Sequence, residues 1–480
     1  MTKLSTIITY LLVLTAAVIF LAVAIPKIFF PYEMHWMEGS MVTQIARVVN
    51  GKPLYSSPTI YYTPWLYEPV YYYVSALIAG IVGVSFQAAR IPSVLSTIAI
   101  LTLIFYIVRR ETGKTFYAMA AIGLYLAAYG KVEYSYVMAR IDPLFNVLVV
   151  AGFIAIYYSK SNSGLIIGAL LLALSYFTKQ TALVFAPTII IYLWRIRGWK
   201  PALFFGGAFA LFIIGGIVIL DRIYDGWFTY YTLLVPKGKG KTLRWGYAVD
   251  GFFVYVLLRC WLFTTIMAFF SIKAFFSKKM NDTSNAILFF GLFFVTSLAA
   301  GFLGILNMGG GHNVLLPTAA GCALFLPIFV NHFSEQRKAS PIIFCVIPLQ
   351  LVLLIANPWR DPRNIAREID KSNQEEFFRE IASLPGEVWV TYHGFTEPYT
   401  GKKAYADIVA IKDVLVADDS VSHSLRRQLD SAYMNEHWSY IIADLPDTFP
   451  HYSLYRIEKN RNKIQMNDDT MLYIYKPENK

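Results

Sequence analysis

Charged side chains that interrupt long apolar runs are the residues of this 480-residue sequence best placed to do chemistry. Glu38 is the first. It lies in the run from Glu33 to Gly39, where a hydrophobic N-terminal segment empties into a loop, and a helix-like stretch from Ser40 to Asn50 follows. A carboxylate where a membrane wall meets water can stay ionised and take a proton from an incoming hydroxyl, so Glu38 is a candidate general base; capping the short helix is the structural alternative. Asp142 stands just before Pro143 and shortly after Arg140. An acid and a proline suit a helix start, which accounts for Asp142 without any function. Placed on the same side of the membrane as Glu38, it is also a second candidate acid, able to hold an acceptor, a cation or a lysine, with Arg140 beside it.

Several cations ask for an anion. Lys179 breaks an almost continuous apolar stretch from Gly164 to Trp194. A snorkelling lysine in a turn would explain it, and so would a phosphate partner. The segment from Val235 to Trp245 carries Lys237, Lys239, Lys241 and Arg244 with glycines between them, a cluster suited to lipid headgroups or to a substrate phosphate. Farther on, Gly309, Gly310 and Gly311 allow close approach of the backbone to a ligand, and His312 and Asn313 present hydrogen-bonding side chains. The first loop has no Asp-x-Asp and the chain no paired His/Cys set. No cofactor is required, and a divalent metal is allowed without being indicated.

The elements that must position these groups are membrane helices: 56% of the residues are hydrophobic and the mean hydropathy is +0.48. Apolar runs near 6–28, 91–108, 115–131, 142–158, 164–178, 181–195, 201–220, 251–272, 286–305, 313–331 and 340–356 predict about eleven crossings. The segment 70–86 opens on three tyrosines and reads as interfacial. Only then do Lys3, Arg109, Arg110, Lys114, Lys160, Arg195, Arg197 and Lys200, and the basic loops near 273–279 and 337–338, all face the cytoplasm. Orientation thus explains much of the +11 charge, which excludes nucleic acid as the partner it would suggest in a soluble protein. Cys260, Cys322 and Cys345 lie in apolar runs and read as packing residues. Beyond 356 the composition turns charged and mixed, with strand-like runs at 387–392, 438–443 and 471–476 and a helix-like stretch at 373–383. The predicted architecture is a polytopic α-helical membrane protein. About eleven transmembrane helices plus interfacial helices occupy 1–356, with the first outer loop at 31–70, and a small soluble α/β domain occupies 357–480 on the outer side.

Taken in order, the runs Met37 to Arg47, Gly51 to Tyr55, Glu68 to Tyr73, Ala89 to Ser93, Arg140 to Pro143 and Phe177 to Lys179 resemble the GT-C glycosyltransferases. The likeness is greatest to the branch of the lipid A aminoarabinose transferases and protein O-mannosyltransferases, and it hardly touches the terminal segment. The resemblance implies a GT-C-like fold and a catalytic role for the first-loop acid, here Glu38, where many members have Asp. It also implies a second outer acid at Asp142 and a matching lysine at Lys179. Cations on the donor phosphate would be Lys237, Lys239, Lys241 or Arg244, and substrate contacts Arg140, Glu68, Tyr71, His312 and Asn313. The implied reaction moves a sugar from a polyprenyl-phosphate donor to a hydroxyl of a glycan, lipid or protein acceptor, with inversion, at the outer side of the plasma (inner) membrane. A polytopic transporter or lipid flippase is the rival. It would place ionisable sites near the bilayer midplane, whereas the acids here gather at one mouth.

Overall fold

The computed structural model describes residues 3–239, 243–275, 282–307, 310–335, 341–356, 366–459 and 471–478. Nine helices lead: α1 (Lys3–Phe29), α2 (Trp36–Val49), α3 (Val70–Val82), α4 (Phe86–Thr112), α5 (Thr115–Ala127), α6 (Asp142–Tyr158), α7 (Asn162–Tyr176), α8 (Phe185–Arg197) and α9 (Trp199–Ile223). Every apolar run of the sequence forms a helix, but among the described residues five helices are long and apolar enough to cross a membrane by themselves. These are α1, α4, α9, Asn285–Leu306 and His312–Ser334, and the pair Ala248–Leu258 and Leu262–Phe269, bent by 90°, would make a sixth. Length and composition alone thus give five or six of the expected eleven or so. In α5, α6, α7 and Ile342–Ile355 the regular helix covers 10–17 residues, about 15–25 Å of rise against a hydrocarbon core of about 30 Å. Tight turns such as Tyr129–Val132 and Gln180–Val184 take up the rest of the apolar sequence. α3, 13 residues long, is likewise too short to cross.

Burial divides the helices by role. The span His312–Ser334 is 94% buried and forms the centre, packed against α4, α5, α6 and the helix Asp282–Leu306; α9 is only 17% buried and turns leucine, isoleucine and valine side chains outward. At the 90° bend the backbone is repaired by one side chain. Gln350 donates to Cys260 O (2.5 Å) and accepts from Thr264 N (3.2 Å) and Thr264 Oγ1 (3.1 Å), satisfying groups that the break leaves without helical partners. Cys260 and Cys322 are buried there as packing residues, whereas Cys345 is exposed at the start of the last apolar helix.

The C-terminal segment is a four-stranded mixed sheet with helices. Strands β1 (Val388–Val390), β2 (Tyr440–Ala443), β3 (Tyr452–Lys459) and β4 (Met471–Pro477) lie in the order β1-β2-β4-β3. β1 and β2 are parallel, with Trp389 opposite Ile441, and the other pairs are antiparallel. The parallel pair needs a crossover, and the helices Ile408–Leu415 and Ser420–Met434 supply it. β3 is an edge strand, with Arg456 and Glu458 in its run and Leu454, Tyr455 and Ile457 exposed. Its mixed polarity hides it from a search for apolar runs.

Candidate active site

The up-and-down order brings the C-terminal ends of α1, α5 and α7 together with the N-terminal ends of α4, α6 and α8 at one mouth, over which the first loop and the C-terminal segment lie. Glu38, in the first turn of α2, is buried at the base of this loop face. Its Oε1 accepts from Arg90 Nε (2.9 Å) and Ala139 N (2.8 Å), and its Oε2 from Arg90 Nη2 (2.6 Å) and Met34 N (2.8 Å). Arg90 spends its remaining donors on Lys27 O, Phe30 O and Tyr32 O (2.6–2.8 Å). Burial alone would raise the Glu38 carboxyl, but Arg90 and the two backbone N–H groups outweigh it and hold it below the usual range. Four donors fill a carboxylate. In this arrangement Glu38, the expected general base, acts as a tie: the carboxylate knots α1, α2 and α4 to the loop before α6, and by holding Ala139 it places Arg140.

The second predicted acid lies in a different setting. Asp142 Oδ1 meets Lys179 Nζ at 2.6 Å and Oδ2 meets Arg140 Nε at 3.4 Å, while Asn313 donates a further hydrogen bond to the same carboxylate. Arg140 Nη1 lies 4.0 Å from Glu133 Oε2, and Glu133 Oε1 accepts from His312 N (2.7 Å) and faces His312 Nδ1 (3.6 Å). Thus Arg140, Asp142, Lys179, His312 and Asn313, drawn from separate stretches of chain, form one cluster with Glu133. His35 completes it. Its Nδ1 accepts from Met37 N (3.2 Å) and caps α2, while burial and the nearby Arg140 hold the ring at about 3, so it is neutral and carries its proton on Nε2. That N–H faces Arg140 Nη1 at 3.4 Å. Two donors then lie side by side, and an anionic oxygen next to them could accept from both. An aromatic row leads away from them, with His35, Trp36, Trp65 and Tyr67 each 5.6–6.0 Å from the next between ring centroids.

Other predicted site residues fall elsewhere. Tyr71 is buried and donates to Ala89 O (2.8 Å), a packing bond between α3 and α4 rather than a substrate contact. Glu68 is buried beneath Lys179 and Gln180, and burial pushes its carboxyl up to about 8, so it stands as a neutral acid under the cluster and not as a charged ligand. Lys237 is exposed on the helix Val235–Lys239, whose Gly238 packs on Val416 and Ala417. Arg244 N donates to Leu306 O (3.0 Å), near the turn that carries His312. The Lys239 side chain and Lys241 lie outside the described residues.

The C-terminal segment docks on the first loop through a second buried charged group. His393 Nδ1 lies 2.9 Å from Glu33 Oε2 and Nε2 lies 3.0 Å from Asp444 Oδ1. Burial opposes charge on this ring, but the two carboxylates prevail and raise it well above the usual histidine range; burial pushes Glu33 up to about 7. Ser40 Oγ donates to Asp407 Oδ2 (2.6 Å), and burial raises Asp407 to about 7 as well. Gly39 crosses Gly394 so closely that a Cβ on it would lie 2.4 Å from Gly394 O, so the glycine after Glu38 serves docking. Nothing in residue type or spacing marks Glu33 or His393 as a site residue. Arg90 alone carried a signal, a charge near the start of an apolar helix.

Residues 63–219 match the family model described as dolichyl-phosphate-mannose-protein mannosyltransferase. The whole fold is similar to that of ArnT from Cupriavidus metallidurans, solved bound to undecaprenyl phosphate, at 10% identity over 97% of both chains with a TM-score of 0.60. It is similar as well to the Archaeoglobus fulgidus oligosaccharyltransferase, at 10% identity over 91% of this chain and 69% of that one with a TM-score of 0.54. The oligosaccharyltransferase AglB from Archaeoglobus fulgidus, solved with an inhibitory peptide and a dolichol-phosphate, gives 11% identity over 90% of this chain and 69% of that one with a TM-score of 0.51. No curated protein matches the chain in sequence. The family match spans about a third of the chain, and the fold of the whole is similar to that of ArnT.

Proposed function

We propose that the chain transfers a sugar from a polyprenyl-phosphate donor to an acceptor hydroxyl on the extracytoplasmic side of the membrane, with inversion at the anomeric carbon. The observation that carries this reading is the convergence of two cations, Arg140 and Lys179, on Asp142 at the mouth, with His35 Nε2 beside Arg140. A phosphate oxygen placed there would accept from Arg140 and His35, and Lys179 would add a second charge. The leaving phosphate gains negative charge in the transition state, so these donors stabilise that state more than the bound donor. The comparison structures, one with undecaprenyl phosphate and one with dolichol-phosphate, support a lipid phosphate as the leaving group. Asp142 keeps Lys179 and Arg140 aimed at the mouth, and the aromatic row offers faces for sugar rings.

The topology belongs to the same proposal. With the turns adjoining the shorter helices counted in, about eleven crossings result, and α3 lies in the interface. Arg109, Arg110, Arg195, Arg197 and Lys200 then sit at helix ends opposite the cluster, which the positive-inside rule assigns to the cytoplasm. The C-terminal segment, 357–480 in sequence, caps the outer mouth as a separate domain.

Transfer of radiolabelled sugar from defined polyprenyl-phosphate sugars by the purified full chain tests the reading. Wild type should transfer, and Lys179→Met should lower turnover by about 10²–10³ at unchanged folding. Absence of transfer by wild type from any polyprenyl-phosphate sugar, with transport of the same lipids in vesicles, would replace the enzyme by a flippase.

A further inference from the structure

Three carboxylates stand near the cluster, and they differ in what they can still bind. The side chains of Glu38 and Asp142 are 0% and 3% exposed; Glu38 accepts four hydrogen bonds from three groups, and Asp142 faces Lys179, Arg140 and Asn313. Glu133 is 35% exposed. Its Oε1 takes the His312 N–H, while its Oε2 has Arg140 at 4.0 Å, beyond hydrogen-bond distance. Of the three acids Glu133 is the least buried, and the hydrogen bond described for its carboxylate falls on Oε1 and leaves Oε2 to the more distant Arg140.

The backbone is built to hold it there. Glu133 and Tyr134 both have left-handed φ values, 56° and 53°. Two adjacent non-glycine residues in that region cost on the order of 1 kcal/mol each, and such strain collects at functional sites. Gly311 passes so near that a Cβ on it would lie 2.6 Å from Glu133 Oε1, so glycine at this position is what lets the His312 N–H reach the carboxylate.

We propose that Glu133 is the catalytic carboxylate that takes the proton of the acceptor hydroxyl. The proposal rests on the glycosyl-transfer reading. In the step, the acceptor oxygen bonds to the anomeric carbon, the bond from that carbon to the phosphate oxygen breaks, and the electron pair leaves on the lipid phosphate beside Arg140 and Lys179. The acceptor proton passes to Glu133 Oε2. Arg140 joins the two halves, lying between Asp142, Glu133 and His35. Burial alone would raise the Glu133 carboxyl, but the His312 hydrogen bond and the Arg140 charge outweigh it and hold it at about 2. The group is therefore always ionised at rest, and it receives the proton only as the hydroxyl becomes acidic on bonding to carbon.

Glu133→Gln tests this, because the amide oxygen can still accept from His312 N and keep the loop in place. Turnover should fall by about 10²–10⁴, with the donor KM nearly unchanged. In Glu133→Ala, added formate should restore part of the turnover by supplying a carboxylate, a rescue that a purely structural role would not show. Wild-type turnover in Glu133→Gln, or loss in Glu133→Ala that formate leaves untouched, would overturn the assignment while wild-type transfer keeps the glycosyl-transfer reading. No transfer by wild type would overturn both.

Discussion

Glu33 and Glu38 share one short loop, one residue type and near-complete burial, yet they are shifted in opposite directions. Glu38 meets a guanidinium and two backbone N–H groups and is held below its usual range. Glu33 meets a single imidazole that it shares with Asp444, accepts one backbone N–H from Gly39, and is pushed up to about 7. Burial acts on both alike, so partners decide the sign. A carboxylate with four donors is a structural anion; one that shares a lone cation with a second acid is a proton store. The first knots the membrane helices, and the second joins them to the C-terminal sheet.

The largest effect should come from breaking the knot. Arg90→Met leaves Glu38 buried without a counter-charge and should cost about 3–5 kcal/mol. In detergent this would read as loss of the monodisperse species and a sharply lower thermal midpoint. The double change Arg90→Met with Glu38→Leu, which removes both charges, should recover more than half of the loss; equal stability of the single variant and wild type would show that the pair holds nothing together. His393→Gln is the matching break in the other region. It should cost less, about 2 kcal/mol, because Glu33 binds a proton near neutrality and can discharge itself. Hydrogen exchange at β1 and the following residues to Gly394 should speed up while residues 135–141 stay protected, and uniform acceleration would deny that the two regions are separate.

Legibility in sequence follows the same division. Charges standing in apolar surroundings announce themselves, and Arg140, Asp142, Lys179, His312 and Asn313 do converge in one cluster. The helices were readable for the same reason, but not their regular lengths, because turns such as Tyr129–Val132 are as apolar as the helices they end. Glu38 looked catalytic because its partner Arg90 comes from a later helix and His35, which caps α2, comes before it. Glu33 depends on His393, contributed by the far end of the chain. No motif marks Glu133, since its placement rests on a left-handed backbone and on the approach of Gly311. Residue type and spacing thus located the mouth, while the division of labour among its acids waited for the contacts.

The smallest expected effect is a pH response of opposite sign in the two regions. Glu33 rises from 4.5 to about 7 and Asp407 from 3.8 to about 7, and His393 rises well above 6.5. Each therefore favours the docked state fully below its unfolded value, and that contribution is lost as pH climbs through the docked value. Glu38 is shifted down, so its contribution is complete above 4.5 and is lost only as pH falls below that. Between pH 6 and 8 the knot should be indifferent and the interface should loosen, with an upper limit of about 1.4 kcal/mol per pH unit for each proton released. Because the imidazole and the carboxyls facing it share their protons, a net loss of about 1 kcal/mol across the window is the expected reading. Hydrogen exchange corrected for intrinsic rates can resolve this, with 388–394 reporting the interface and 137–141 the knot. A fall confined to 388–394 would bear out a proton-linked interface beside an indifferent knot; no change there, or an equal fall in both, would mean that Glu33, Asp407 and His393 hold the C-terminal segment without exchanging protons in that range.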